Sequence, residues 1–117
     1  MARFVVAPGG QVAGRLRVPG DKSISHRALM FAAIASGRTR VTGFLEGEDC
    51  LSTLQAVARL GVTVQRPAPG EVIVDGVGLH GLRGPQGVLD MGNAGTAMRL
   101  FMGLLAAQPF YSELVGD

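Results

Sequence analysis

Pro19-Gly20-Asp21-Lys22-Ser23-Ile24-Ser25-His26-Arg27 is a turn that runs into a helix start. Pro19 and Gly20 break any strand before them. Asp21 or Ser23 can cap the helix, since either side chain accepts a hydrogen bond from an orphan backbone N–H. Every residue from Ala28 to Ala35 is apolar. The helix, predicted over about 23–36 with Gly37 as its C-terminal stop, is expected to be buried, its polar start opening into a cleft. Ser23 and Arg27 share a helix face, and Lys22 stands at the mouth. A lysine, an arginine, a hydroxyl and a helix N-terminus at one point make an anion site, with phosphate the natural ligand. The plainer reading is a set of solvated cations at a helix start. Against it, cations at the positive end of a helix dipole cost roughly a few tenths of a kcal/mol unless an anion offsets them.

Working outward, Arg3–Ala7 and Gln11–Val18 are β-like runs joined by Pro8-Gly9-Gly10, which predicts a hairpin. After the first helix, Arg38–Phe44 reads as a strand. Glu46–Asp49 opens a second helix with acids where the dipole favours them, and Asp49 is read as its cap rather than a catalyst. Leu51, Leu54, Val57 and Ala58 form that helix's apolar stripe, and Gly61 ends it. Val62–Arg66 and Glu71–Asp75 alternate as a strand and its return, with a turn at Pro67–Gly70. The glycine-rich stretch 76–87 reads as loop. Val88–Met91 is a short strand, Thr96–Gln108 a nearly all-apolar helix, and Phe110–Val115 a final strand. Two helices apolar on all sides, beside strands that alternate, predict an α/β fold with helices inside and sheets outside.

Composition narrows the function. With 117 residues the chain suffices for one small domain, and a hydrophobic content of 47% can fill a core. Eleven basic against nine acidic residues is too even a balance for nucleic acid. The single cysteine, Cys50, excludes an internal disulfide and fits a reducing compartment. It has no basic cluster beside it in sequence, so it reads as a small buried helix residue. One Cys and two His offer no zinc spacing. The longest apolar run is far short of the roughly 18 residues of a membrane span, and Met1–Pro8 lacks an apolar core long enough for a signal peptide. A soluble cytoplasmic protein is expected. Gly76-Val77-Gly78-Leu79-His80-Gly81 matches a dinucleotide-binding pattern, but Arg83-Gly84-Pro85 blocks the required helix. His80 is read as surface loop, and His26 as a neighbour of the anion site.

A second site candidate is Gly92-Asn93-Ala94-Gly95-Thr96-Ala97-Met98-Arg99. It is a strand end, a glycine turn and a helix start, which aims backbone N–H groups at an anion. Gly95 allows a ligand close to the backbone, and Asn93 can bond a carboxylate or hydroxyl. A plain strand-to-helix turn capped by Thr96 fits the same residues.

Both motifs, in this order and at this distance, resemble the 5-enolpyruvylshikimate-3-phosphate synthase (3-phosphoshikimate 1-carboxyvinyltransferase) family, over about Val12–Asp117. The resemblance implies inside-out βαβαββ units around buried parallel helices, with only the first part of the fold present. Residues 1–20 would form an opening hairpin belonging to the opposite globular half, and 21–117 an incomplete N-terminal part of the transferase domain. The implied reaction moves the enolpyruvyl group of phosphoenolpyruvate to the 5-hydroxyl of shikimate 3-phosphate and releases phosphate, on the route to chorismate and the aromatic amino acids. Lys22 would touch both substrates and serve as the catalytic residue. Ser23 and Arg27 would hold shikimate 3-phosphate, and Gly95 with Asn93 would line the phosphoenolpyruvate pocket. Arg99, in the first turn of its helix, is expected in a buried ion pair that shapes the loop rather than in direct contact with substrate. No metal or organic cofactor is implied, nor a nucleic acid or membrane partner. The expected partner is the missing C-terminal part of the same enzyme, without which these residues are expected to be inactive. The family is the glyphosate target, but Leu100 stands where many bacterial members have proline, which leaves inhibitor sensitivity open. The alternatives are a non-catalytic anion-binding fragment and, further off, a UDP-aminosugar enolpyruvyl transferase, which has Asn where this chain has Ser23.

Overall fold

The structure, a computed structural model, describes residues 2–117. The elements run α1 (Lys22–Ile34), β1 (Ser36–Thr42), α2 (Glu48–Arg59), β2 (Thr63–Gln65), β3 (Glu71–Val77), β4 (Leu89–Asp90), α3 (Gly95–Ala106) and β5 (Leu114–Val115). The fold is α/β.

Asp21 is the cap of α1: its Oδ2 accepts from the Ile24 N–H at 2.8 Å. The helix stops two residues sooner than predicted, because the chain turns extended at Ala35 and enters β1 at once. Gly37 therefore lies within β1, at φ +97°. Gly76 explains how the helix and sheet fit. A Cβ there would run into the Ala32 and Ala35 carbonyls, so β3 crosses directly over the last turn of α1. The Gly78 N–H donates to Ala35 O at 3.0 Å, satisfying a carbonyl the helix leaves open.

In the three-stranded sheet β3 is central and antiparallel to both neighbours, with Thr39 and Val64 opposite Val74 and Val41 opposite Val72. Val72 and Val74 are fully buried against the helices. The other face carries charge: Arg38 forks onto Asp75 at 2.8 and 3.3 Å, and Arg40 reaches Glu71 at 3.1 Å. Alternation at period two has thus put the polar side outward and α1 inward, as predicted. A parallel pair, β4 and β5, is joined through α3. Phe101, Leu29, Leu60, Leu89 and Met91 anchor the core where the elements meet.

Three expectations are corrected. The hairpin over 3–18 does not form: no strand pairing occurs in residues 2–20, and residues 2–19 are all exposed. An isolated two-stranded ribbon is marginal in water without a layer to pack on, and Phe4 and Val12 touch no such layer. The arm accounts for a radius of gyration of 17.8 Å, against about 13 Å for a compact chain of this length. Next, α2 opens at Glu48 with Gly47 as its cap. Glu46 lies before the helix and braces the Pro67–Gly70 turn, accepting from the Gly70 N–H at 3.0 Å. Last, α1 and α3 are buried on one side only. Ile24, Phe31 and Met102 are more than half exposed, and Arg27, Met30, Phe31, Ile34, Leu100, Gly103 and Leu104 border an open groove between the two helices.

Candidate functional site

The start of α2 adjoins the start of α1 on one flank and the turn before α3 on the other. Lys22, the first residue of α1, places Nζ 2.8 Å from Oδ2 of Asp49 in the first turn of α2. The next residue ties the same two turns: Cys50 Sγ donates to Lys22 O at 3.8 Å. One turn further in, His26 Nδ1 and Thr53 Oγ1 lie 2.7 Å apart, both residues fully buried. The turn before α3 joins through Gly92, where a Cβ would stand 3.4 Å from the Ser52 hydroxyl of α2. Gly92 itself has φ +57°, a conformation that favours glycine. Its N–H is held by Asp90 Oδ1 at 2.8 Å, and its carbonyl by the Asp117 N–H at 2.9 Å.

The start of α3 is open. Its cap is Ala94, whose methyl group cannot accept a hydrogen bond, so the first backbone N–H groups of the helix lack a side-chain cap. Thr96 is not the cap but lies inside the helix. Gly95 and Asn93 are exposed at this opening. At α1, Lys22, Ser23 and Arg27 are exposed together, and Arg27 Nη1 folds back to Ser23 O at 3.2 Å. Arg99 repeats the arrangement on α3, with Nη1 donating to Gly95 O at 3.1 Å. The buried ion pair expected of Arg99 is absent among the described residues: its side chain is exposed and bonded to its own helix. Each of these two helices therefore presents its N-terminal dipole and a back-folded guanidinium to the same side, an arrangement that attracts an anion.

Asp49 was not legible as the partner of Lys22. It is not the cap of α2 but an ion-pair acceptor, and it raises the Lys22 pKa through that hydrogen bond and its charge. Burial pushes the Cys50 thiol up, which agrees with an inert structural cysteine. His80 is exposed, as expected.

His26 carries a pH dependence. The Thr53 hydroxyl donates to Asp49 O at 3.3 Å, leaving its lone pair for a proton on His26 Nδ1. Nε2 is then the bare nitrogen, buried without a partner. Burial lowers the His26 pKa below the ordinary 6.5, Lys22 and Arg27 lower it further, and Asp49 opposes. The unfolded chain thus binds the proton more readily than the folded one. Stability is expected to be flat above about pH 6.5 and to fall as the pH drops below it. Glu46 and Asp75, whose carboxyls are held below their usual range by Gly70 and Arg38 respectively, lose their contribution only below about pH 4.5. Urea midpoints between pH 7 and 5 should therefore decline, and His26→Gln should flatten the decline. An equal slope in the variant would assign the effect elsewhere.

The sequence model of the EPSP synthase (3-phosphoshikimate 1-carboxyvinyltransferase) family matches residues 6–117. The chain belongs to this family. The 3-phosphoshikimate 1-carboxyvinyltransferase of Alkalilimnicola ehrlichii is 60% identical over 114 residues, covering 97% of this chain and 26% of the relative. That of Hydrogenovibrio crunogenus is 58% identical over 115 residues, again reaching 26% of the relative. A solved EPSP synthase from Acinetobacter baumannii superposes with a TM-score of 0.84 at 59% identity, over 89% of this chain and 23% of that one. The chain spans about a quarter of the length of these EPSP synthases. Among the described residues no helix is long and apolar enough to cross a membrane.

Proposed function

We propose that this chain is the part of a cytoplasmic EPSP synthase that supplies one wall of its substrate cleft. The longer enzyme transfers the enolpyruvyl group of phosphoenolpyruvate to the 5-hydroxyl of shikimate 3-phosphate and releases phosphate. The observation that carries this reading is that the start of α1 is paired to α2 through Lys22 and Asp49 and the turn before α3 abuts α2 at Ser52, with Lys22 and Arg27 exposed at one start and an uncapped backbone at the other. Ser23 and Arg27 hold shikimate 3-phosphate. Gly95 and Asn93 line the phosphoenolpyruvate pocket. Lys22 reaches both ligands, and its ammonium offsets charge that builds on the departing phosphate. Residues 1–20 belong to the opposite half, and the remainder of the enzyme closes the second wall, since water must be shut out of the cleft.

Calorimetric titration of the full-length chain with shikimate 3-phosphate, alone and with phosphoenolpyruvate, tests the reading. Gly95→Ala sharpens it. A Cβ at Gly95 would meet only the tip of Arg99, at 2.9 Å, a flexible group that can move aside. The variant should therefore fold normally, weaken phosphoenolpyruvate and glyphosate by about tenfold or more, and leave shikimate 3-phosphate within about twofold. Equal losses for all three ligands would remove Gly95 from the pocket. Anion binding with no turnover by the full-length chain would favour a non-catalytic module.

A further inference from the structure

We propose that Asp49 is the positioning residue for Lys22, aiming its ammonium into the cleft from a rigid two-helix floor. The inference rests on the role given to Lys22 above. The Lys22–Asp49 contact at 2.8 Å is solvent-exposed, with 53% and 25% of the two side chains accessible. An ion pair so exposed adds little to stability, so its effect is on geometry. What lies beneath it is fixed. Thr53 Oγ1 holds the Asp49 carbonyl and pairs with His26, and Cys50 Sγ holds the Lys22 carbonyl. The backbone atoms that carry both charged side chains are thus tied to each other through buried groups, and only the two tips are free to move. A lysine has four rotatable bonds and no preferred direction in water. Asp49 gives it one, at the shared mouth of the helices.

Asp49 also places a negative charge where anionic substrates must arrive. It therefore affects the two kinetic constants in opposite ways. It raises kcat by holding the ammonium in line, and it does not tighten substrate binding. A residue that merely kept α2 folded would show no such split.

The test uses the full-length enzyme and the variants Asp49→Asn, Asp49→Glu and Lys22→Ala, with kcat, KM for each substrate, pH profiles and circular dichroism. Asp49→Asn should lower kcat by about tenfold or more and leave KM for shikimate 3-phosphate unchanged or lower. It should also move the alkaline limb of the kcat profile to lower pH, because Lys22 loses the neighbour that favours its charged form. Asp21, His26, Arg27, Glu48, Cys50, Arg59, Asp90 and Arg99, the other titratable groups on the elements around the pair, are the same in every variant. Asp49→Glu keeps the carboxylate and should recover most of kcat. If Asp49→Asn loses its folded signal, Asp49→Ser, which keeps a polar group in the first turn, takes its place. Parental kcat and an unmoved alkaline limb, with Lys22→Ala inactive, would overturn the positioning role alone. So would KM and kcat worsening together with no rescue by Glu. Near-normal turnover by Lys22→Ala would overturn the underlying reading as well.

Discussion

Lys22→Ala in the full-length enzyme is expected to lower turnover by about a hundredfold to ten-thousandfold. Each charge-assisted contact is worth about 1.5–3 kcal/mol, and the proposed role gives Lys22 one to each substrate. Summed, the loss is about 3–6 kcal/mol, with a decade of rate for every 1.36 kcal/mol. The fold should not suffer, because the side chain is half exposed and its ion pair lies at the surface. Steady-state phosphate release and the circular dichroism spectrum together check this. Near-normal turnover in a folded variant would take Lys22 out of the cleft.

Phe101→Ala should be the most damaging single truncation in the core. Phe101 is the largest side chain with no exposed surface, and it sits at the middle of α3. Removing a buried phenyl ring costs about 3–5 kcal/mol, partly through the cavity left behind. Against the roughly 5–15 kcal/mol that holds a typical domain together, that is between about a fifth and the whole. The contrast is Phe31→Ala, where the ring on α1 is 67% exposed, so the change should stay within about 0.5 kcal/mol. Urea unfolding of the 117-residue chain, followed by circular dichroism, compares the two. Equal shifts would mean that α3 does not pack as described.

Much of the fold was legible because local chemistry dictates it. Asp21 sits where a cap is needed, Val72 and Val74 fall on one face of a strand that carries Glu71 and Asp75 on the other, and Gly92 stands where the backbone must turn left-handed. The arm before Pro19 misled because alternation reports a tendency to pair and says nothing of whether a partner is at hand. The uniform apolarity of α1 and α3 misled in a similar way: a helix without a polar face does not reveal which sides are covered. Lys22, Ser23, Arg27, Asn93 and Gly95 were singled out from helix-start grammar and motif resemblance, and all five lie exposed at or beside the starts of α1 and α3. Asp49 and Thr53 were not, since their partners lie 27 residues away along the chain. Only the side-by-side packing of two helices brings them together. Arg99 was misread because a cation inside an apolar helix suggests a buried acid, whereas its own first turn satisfies it.

Chain synthesis meets the three-stranded sheet in an awkward order. β1 and β2 do not pair with each other; each pairs with β3, which leaves the ribosome after both. Until Glu71–Val77 emerges, two strands and the apolar flank of α1 wait with no native ladder to join. Unpaired strands of this kind recruit other chains, and at 5–20 residues per second the wait is about a second or more. A nascent chain halted before Glu71 holds none of the sheet's native pairing. One that has passed Val77 can form both ladders in a single step.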